Sequence, residues 1–412
     1  MLNPRVVITG IGAVTPHGIG KELLWERASA GQLSLQQTIV GENGMGRKII
    51  AGRVPGFRAD SYVPQKIVKQ TDRSTHMAMA ASQLAMKDGK LDLDQVTPSD
   101  VGMYFSTLFG GMEFAEPELY AQAHISPDRV SAYQAIAWFY AATQGQWSIL
   151  SQLKGYAKTV VADRAGGLQA LSWASMAIQQ GHCKVMFAGG FDAPLVPYTL
   201  LIHKASGLLS CEDEAVDCAY RPFDARRSGM VLAEGAGILL LEDLDHAIAR
   251  GAPIYAELAG FSTCADKGWR TTSSDSRLGD CVRQALDHAG LHPSDVDHVI
   301  AEGVGTQVDD AIEAAALRHV FGPYQPTVSA PKSMTGHMLS AAGPIDCAYA
   351  CMMIQEGKLL PTASLEQAAT ECDLNHVRRT QAAAQLNNVI CVSRGYGGTN
   401  AAVVLKRFCG AA

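Results

Sequence analysis

The sequence predicts an α/β fold whose sheets are covered on both faces, and three observations carry that reading. Short β-branched or apolar runs bounded by Gly and Asp alternate with segments of helical periodicity. Two helix-length segments are almost free of charge: 165–183 has no Asp, Glu, Lys or Arg, and 338–355 has only Asp346. Such helices must be buried on every side. The two also resemble each other, because Ala174-Ser-Met-Ala-Ile-Gln-Gln-Gly181 and Ala350-Cys-Met-Met-Ile-Gln-Glu-Gly357 agree at five of eight positions.

Taken in order, Val6–Thr9 reads as a buried first strand, and Gly10-Ile-Gly12 after it as a tight strand-to-loop turn; Thr15 stands where a dinucleotide loop needs its third glycine. Thr75–Lys87 carries Ala and Met at helical spacing. Strands follow at Val101–Ser106 and Thr159–Ala162, then the first uncharged helix, then a strand at Val185–Ala188 that ends in Gly189-Gly190. Ile238–Leu241 and Tyr255–Gly260 are further strands. Arg277–Ala289 is an amphipathic helix with Leu278, Val282 and Leu286 inward, Val299–Ala301 a strand, and Asp309–Val320 a helix with an alanine face. The second uncharged helix precedes strands at Val389–Val392 and Ala402–Leu405, with Gly397-Gly398 between them. The recurrence of uncharged helix, strand and glycine pair predicts an internal duplication, with halves at 1–250 and 251–412 that each contribute one central helix.

Hydrophobic residues make up 47% of the 412 positions and charged residues 18%, which describes a folded chain with a large core and excludes intrinsic disorder. The net charge is 34 − 40 = −6 and no Lys/Arg run exceeds two, so a nucleic-acid partner is not expected. The ten cysteines show no CxxC or Cys/His cluster with zinc spacing, and no metal is expected. They read as reduced thiols. The first ten residues lack the apolar region and cleavage site of an export signal, and no apolar run approaches the ~18 residues of a membrane span. The expected setting is cytoplasmic, without a membrane.

Five segments carry a resemblance: Val6-Val-Ile-Thr-Gly-Ile-Gly-Ala-Val-Thr-Pro16, Arg221-Pro-Phe-Asp-Ala-Arg-Arg-Ser-Gly229, Leu232-Ala-Glu-Gly-Ala236, Pro331-Lys-Ser-Met-Thr-Gly-His337 and Gly395-Tyr-Gly-Gly-Thr-Asn400. In this order they resemble the β-ketoacyl synthase family over essentially the whole chain. The resemblance implies a thiolase-like duplicated five-layer αβαβα fold, a dimer, and thioester substrates delivered on the phosphopantetheine arm of an acyl carrier protein, with no cofactor bound by the chain itself. It also implies a Cys nucleophile at the start of a buried helix, where free N–H groups lower a thiol's pKa and hold an oxyanion.

The position that the resemblance gives to that Cys is Arg164, in Val161-Ala-Asp-Arg-Ala-Gly-Gly167, and a guanidinium cannot attack a thioester. The family's first histidine motif, His-Gly-Thr-Gly-Thr, stands here as Glu302-Gly-Val-Gly-Thr306; only His337, with Lys332 before it, remains of the usual machinery. A cation at a buried helix N-terminus is costly unless compensated. Arg164 and Glu302 are therefore expected to form a buried ion pair that plugs a vestigial site, with Asp163 as the rival partner.

A chain of this kind resembles the chain-length factor, or ketosynthase-β subunit, of type II aromatic polyketide synthases, as does Ser131-Ala-Tyr-Gln-Ala-Ile-Ala-Trp-Phe-Tyr140. That branch usually has Gln where Arg164 stands. The resemblance implies a non-condensing subunit that pairs with a catalytic, Cys-bearing ketosynthase, completes its polyketide tunnel and sets chain length. Met112, Ala115 and Leu119, with Phe114 adjacent, fall where that branch closes the tunnel. A malonyl-carrier-protein decarboxylase using His337 and a purely structural partner are the alternatives.

The remaining candidates have plainer readings. His17, His76 and His124 lack metal-ligand spacing. Asp309, Asp310 and Glu313 open a helical pattern, where acids favour the dipole. Cys347 and Cys351 share a helix face as core thiols. Arg226-Arg227 and Arg378-Arg379 read as surface pairs, with an acidic carrier protein as the alternative partner.

Overall fold

The computed structural model of the protein describes residues 4–41, 46–211, 214–268, 276–383 and 385–410. Its framework is ten strands: β1 (Val6–Thr15), β2 (Val101–Ser106), β3 (Ala157–Val160), β4 (Val185–Asp192), β5 (Gly235–Asp243), β6 (Ala256–Ala265), β7 (His298–Ile300), β8 (Thr327–Ser329), β9 (Asn388–Arg394) and β10 (Thr399–Lys406). Six helices position the site: α1 (Arg73–Asp88), α2 (Met112–His124), α3 (Gly166–Gln179), α4 (Leu278–His288), α5 (Gln307–Phe321) and α6 (Ala342–Glu356).

The strands hydrogen-bond in the order β8-β7-β9-β10-β6-β1-β5-β4-β2-β3, so each strand of the first five and its successor by five sit equally far from the β6–β1 junction. The pairings mirror too. β3–β2 and β2–β4 are parallel, as are β8–β7 and β7–β9, and the strands between are antiparallel. At the junction β1 and β6 share only Val7↔Glu257 and Ile8↔Ala256, and the sheet turns there into two packed halves.

Strand periodicity divides the core into layers. On β5, Leu239 and Leu241 face α3 and α6 while Ile238 and Leu240 face α1; on β10, Val403 and Leu405 face the same central helices while Ala402 and Val404 face α4 and α5. The result is helix, sheet, central helix pair, sheet, helix: a thiolase-like five-layer αβαβα fold. The uncharged helices occupy its centre, with Leu168, Leu171, Tyr349 and Met353 at or below 1% exposure.

Every strand and helix expected from the sequence is present, with shifted ends. The largest shift is in β1, which runs straight through Gly10 and Gly12 to Thr15. Those glycines are not a turn. A Cβ on Gly12 would lie 1.8 Å from the Ala81 carbonyl oxygen, and one on Gly10 2.3 Å from that of Ala85, so their bare backbones admit α1 against the sheet. The two glycine pairs also differ: Gly189-Gly190 lie inside β4, whereas Gly397-Gly398 form the turn between β9 and β10. The hairpin Gln36–Val40/Arg47–Ala51 and the short β8 had no expected counterpart.

Candidate functional site: a buried ion pair at the start of α3

The chain leaves β3 and enters α3 through a single 3₁₀ turn, Asp163–Ala165, in which Asp163 takes φ 51°. That left-handed residue points the Arg164 side chain inward, and Arg164 is 1% exposed. The strain is held by the Asp163 carboxylate, which accepts the Tyr396 N–H, and Ser393 Oγ lies 3.1 Å from the Arg164 carbonyl. Asp163 is thus committed to the glycine-rich turn after β9.

Arg164 Nε donates to the Arg394 carbonyl at 3.0 Å and lies 3.2 Å from Glu302 Oε1. The two charged groups expected to meet do meet, both fully buried. Glu302 has three further partners. His337 Nε2–H donates to Oε1 at 3.0 Å, Ser393 Oγ donates to Oε2 at 2.8 Å, and its own backbone N–H donates to Glu313 Oε1 at 2.7 Å. Burial alone would raise the Glu302 carboxyl, but the charge that His337 carries when protonated, its hydrogen bond, and the charges of Lys332 and Arg164 outweigh it and hold the carboxyl at about 2.

His337 is neutral. Its Nδ1 accepts the Leu339 N–H at 3.1 Å, which leaves the ring proton on Nε2, and burial pushes the imidazole below its usual range. Lys332 Nζ donates to the Ala301 carbonyl at 2.6 Å and pairs with Asp346 Oδ2 at 2.8 Å; Asp346 is the single charge of α6. The buried cluster thus sets two cations, Arg164 and Lys332, against two carboxyl groups, Glu302, held low, and Asp346, which burial raises to about 7 despite Lys332.

The segment that carries Glu302 is held by α5. Glu313 accepts the N–H groups of Glu302 and Gly303, at 2.7 and 2.9 Å; Asp310 accepts those of Gly305 and Phe223, at 2.8 and 2.7 Å; Asp309 takes the Arg394 guanidinium at 2.6 Å. These three acids secure a loop. Tyr220 adds a hydroxyl that donates to the Gly303 carbonyl at 2.7 Å. Sequence reasoning missed Ser393, Arg394 and Tyr220 as members of the site and gave Glu313 and Asp310 too small a part, although Asp310 and Glu313 stand at i and i+3 on one face of α5.

The four gate candidates all lie on α2. Met112, Ala115 and Leu119 share one face, but the structure grades them: Ala115 is fully buried, Met112 is 5% exposed and Leu119 48% exposed. Met112 and Leu119 line an open groove of about 460 Å³ together with Phe109, Trp138, Tyr198 and Ile202. Phe114 is partly buried, and its N–H donates to Asp72 at 2.8 Å. Leu119, Tyr198 and Ile202 leave apolar side chains exposed around this groove.

Two models, described as the β-ketoacyl synthase N-terminal and C-terminal domains, match residues 3–247 and 255–366. The chain belongs to the β-ketoacyl synthase family. Within it, the chain is 36% identical over 404 residues to the actinorhodin polyketide putative β-ketoacyl synthase 2 of Streptomyces coelicolor, covering 98% of each chain. It is 34% identical to the tetracenomycin polyketide synthase ketoacyl synthase β subunit of Streptomyces glaucescens, again over 98% of each. Among solved structures, the ishigamide ketosynthase/chain length factor superposes with a TM-score of 0.91 at 27% identity, over 98% of this chain and all of that one. The resemblance to type II ketosynthase-β subunits thus extends from motifs to the whole fold. No helix of the described residues is long and apolar enough to cross a membrane.

Proposed function

We propose that this ketosynthase-like chain is the non-condensing partner of a catalytic ketosynthase in type II polyketide biosynthesis, completing the partner's tunnel and limiting the length of the chain that grows in it. One observation carries the reading: Arg164, at the position to which the resemblance assigns the family's nucleophile, is fully buried and paired with Glu302. A guanidinium so held forms no acyl-enzyme. The exposed apolar face around α2 and the helix Pro197–Ala205 supports a protein partner there, and the groove of Met112 and Leu119 supports a place for the chain's far end. Substrate reaches the complex on the phosphopantetheine arm of an acyl carrier protein. The repeated element order further supports two halves meeting near residue 250.

Decarboxylation of malonyl-carrier protein is the weaker reading, because both nitrogens of His337 are engaged, one by Glu302 and one by the Leu339 N–H. Co-expression with the Cys-bearing ketosynthase, followed by gel filtration and product analysis, tests the proposal. One-to-one co-purification, with product length that follows residue size at Met112 and Leu119, is expected. A stable homodimer that ignores the ketosynthase, or a product length indifferent to both positions, overturns it.

A further inference from the structure

The ten cysteines are all free, and two of them meet across one seam of the fold. Cys264 stands on β6 and Cys281 near the start of α4. Ser262 and Cys264, at i and i+2 on the strand, point to that helix together: Ser262 Oγ donates to Gln284 Oε1 at 2.9 Å, and Cys264 packs against the core cluster that holds Cys281. Each thiol also reaches the other's element. Cys264 Sγ donates to the Arg277 carbonyl at the start of α4, at 3.4 Å, and Cys281 Sγ to the Ser262 carbonyl of β6, at 3.3 Å. The same Arg277 carbonyl accepts the Cys281 N–H at 2.9 Å, and the two cysteine side chains hydrogen-bond each other.

The two sulfurs have unlike surroundings. Cys281 is fully buried, and the hydrogen bond with Cys264 together with burial pushes its thiol well above the usual range. Cys264 is only partly buried. Hydrogen bonds from Cys281 and from Asn400, whose Nδ2 lies 3.8 Å from Cys264 Sγ, outweigh that burial and hold its thiol below the usual range. An accessible, readily ionised thiol beside a protonated one is the arrangement in which a first oxidation is resolved as a disulfide. Cys347 and Cys391 also hydrogen-bond each other, but both are 0% exposed, so an oxidant has no access to them.

We infer that Cys264 and Cys281 form a redox modification site, at which a peroxide closes a disulfide between β6 and α4. The Cys264 thiolate attacks one peroxide oxygen and the O–O bond breaks; the departing hydroxide takes up the proton that Cys264 released, leaving a sulfenic acid on Cys264. The Cys281 sulfur then attacks the Cys264 sulfur, the S–O bond breaks, and the hydroxyl leaves as water with the Cys281 proton. The test is peptide mapping of the full, reduced chain after treatment with hydrogen peroxide and alkylation under denaturing conditions. A linked Cys264–Cys281 peptide that dithiothreitol dissolves is expected, with Cys347 and Cys391 still alkylated. Cys281→Ser should lose the linked peptide and accumulate sulfenic acid at Cys264, trapped by dimedone, and Cys264→Ser should lose both products. The map of the parent chain decides the matter even where a variant fails to fold. The inference is overturned if the pair stays alkylatable while the exposed Cys211 and Cys409 oxidise, if the disulfide joins other cysteines, or if sulfenic acid forms at Cys281 before Cys264.

Discussion

Replacing Arg164 with Met should be strongly destabilising. The change keeps an apolar stem but withdraws the cation 3.2 Å from Glu302, a carboxylate with no solvent contact, and frees the Arg394 carbonyl. Breaking a buried pair from one side costs about 3–5 kcal/mol. Glu302→Gln strands the guanidinium instead and should cost about as much. The double variant removes both charges, and neutral replacements of buried pairs are roughly neutral in stability, so Arg164→Met/Glu302→Gln should cost less than either single change. The non-additivity would then be about 3 kcal/mol or more, above the ~0.5 kcal/mol scatter of independent sites. Urea midpoints read by circular dichroism, converted with a shared m-value, measure all four corners. Additive single effects, or an Arg164→Met cost below about 1 kcal/mol, would refute the charge-balance argument.

Lys332 should obey the same logic, with Asp346→Asn costing several kcal/mol and Asp346→Asn/Lys332→Met recovering much of it, again by urea midpoint. Burial raises Glu313 to about 8 and Asp310 to about 7. Because the folded state binds those protons more tightly than the unfolded chain, stability should fall as pH rises from about 4.5 towards 8, by about 1.4 kcal/mol per unit while each group titrates, and Glu313→Gln should flatten that slope. Glu302 has the opposite sign: its contribution is complete above about 4.5 and is lost as pH falls towards 2, a limb that Glu302→Gln should lack. Gly12→Ala should destabilise by more than about 2 kcal/mol, since its Cβ would overlap the Ala81 carbonyl; a thermal melt within 2 °C of the parent would contradict the close-approach reading.

The parts of this fold that were legible in advance are those set by burial and periodicity. The absence of charge from 165–183 and 338–355 reports directly that no face of either helix meets water, and both are central. Gly10 and Gly12 were misread because a glycine needed for a turn and one needed for a helix's approach look alike until the helix is in place. The Arg164–Glu302 pairing followed from charge compensation within a resemblance that had already brought the two positions together. Ser393 and Arg394 gave no comparable signal, since a serine that bridges a carbonyl and a carboxylate is chemically ordinary and only the β9–β10 turn puts it there. The grading of Met112, Ala115 and Leu119 was likewise invisible: the resemblance singled them out as a set, and neighbouring segments decide which reach the groove.

The centre's members come from distant stretches of chain. Arg164 is contributed by the turn before α3, whereas Glu302, Lys332, His337 and Ser393 all follow residue 300. Genetic recombination with a condensing relative at any crossover between 165 and 301 would therefore unite a guanidinium with an imidazole, or a thiol with a carboxylate that has lost its guanidinium, in a fully buried site. Neither hybrid inherits a balanced interior. On the function proposed above, exchange of one gene segment cannot turn such a subunit back into a condensing one, and both stretches must change together.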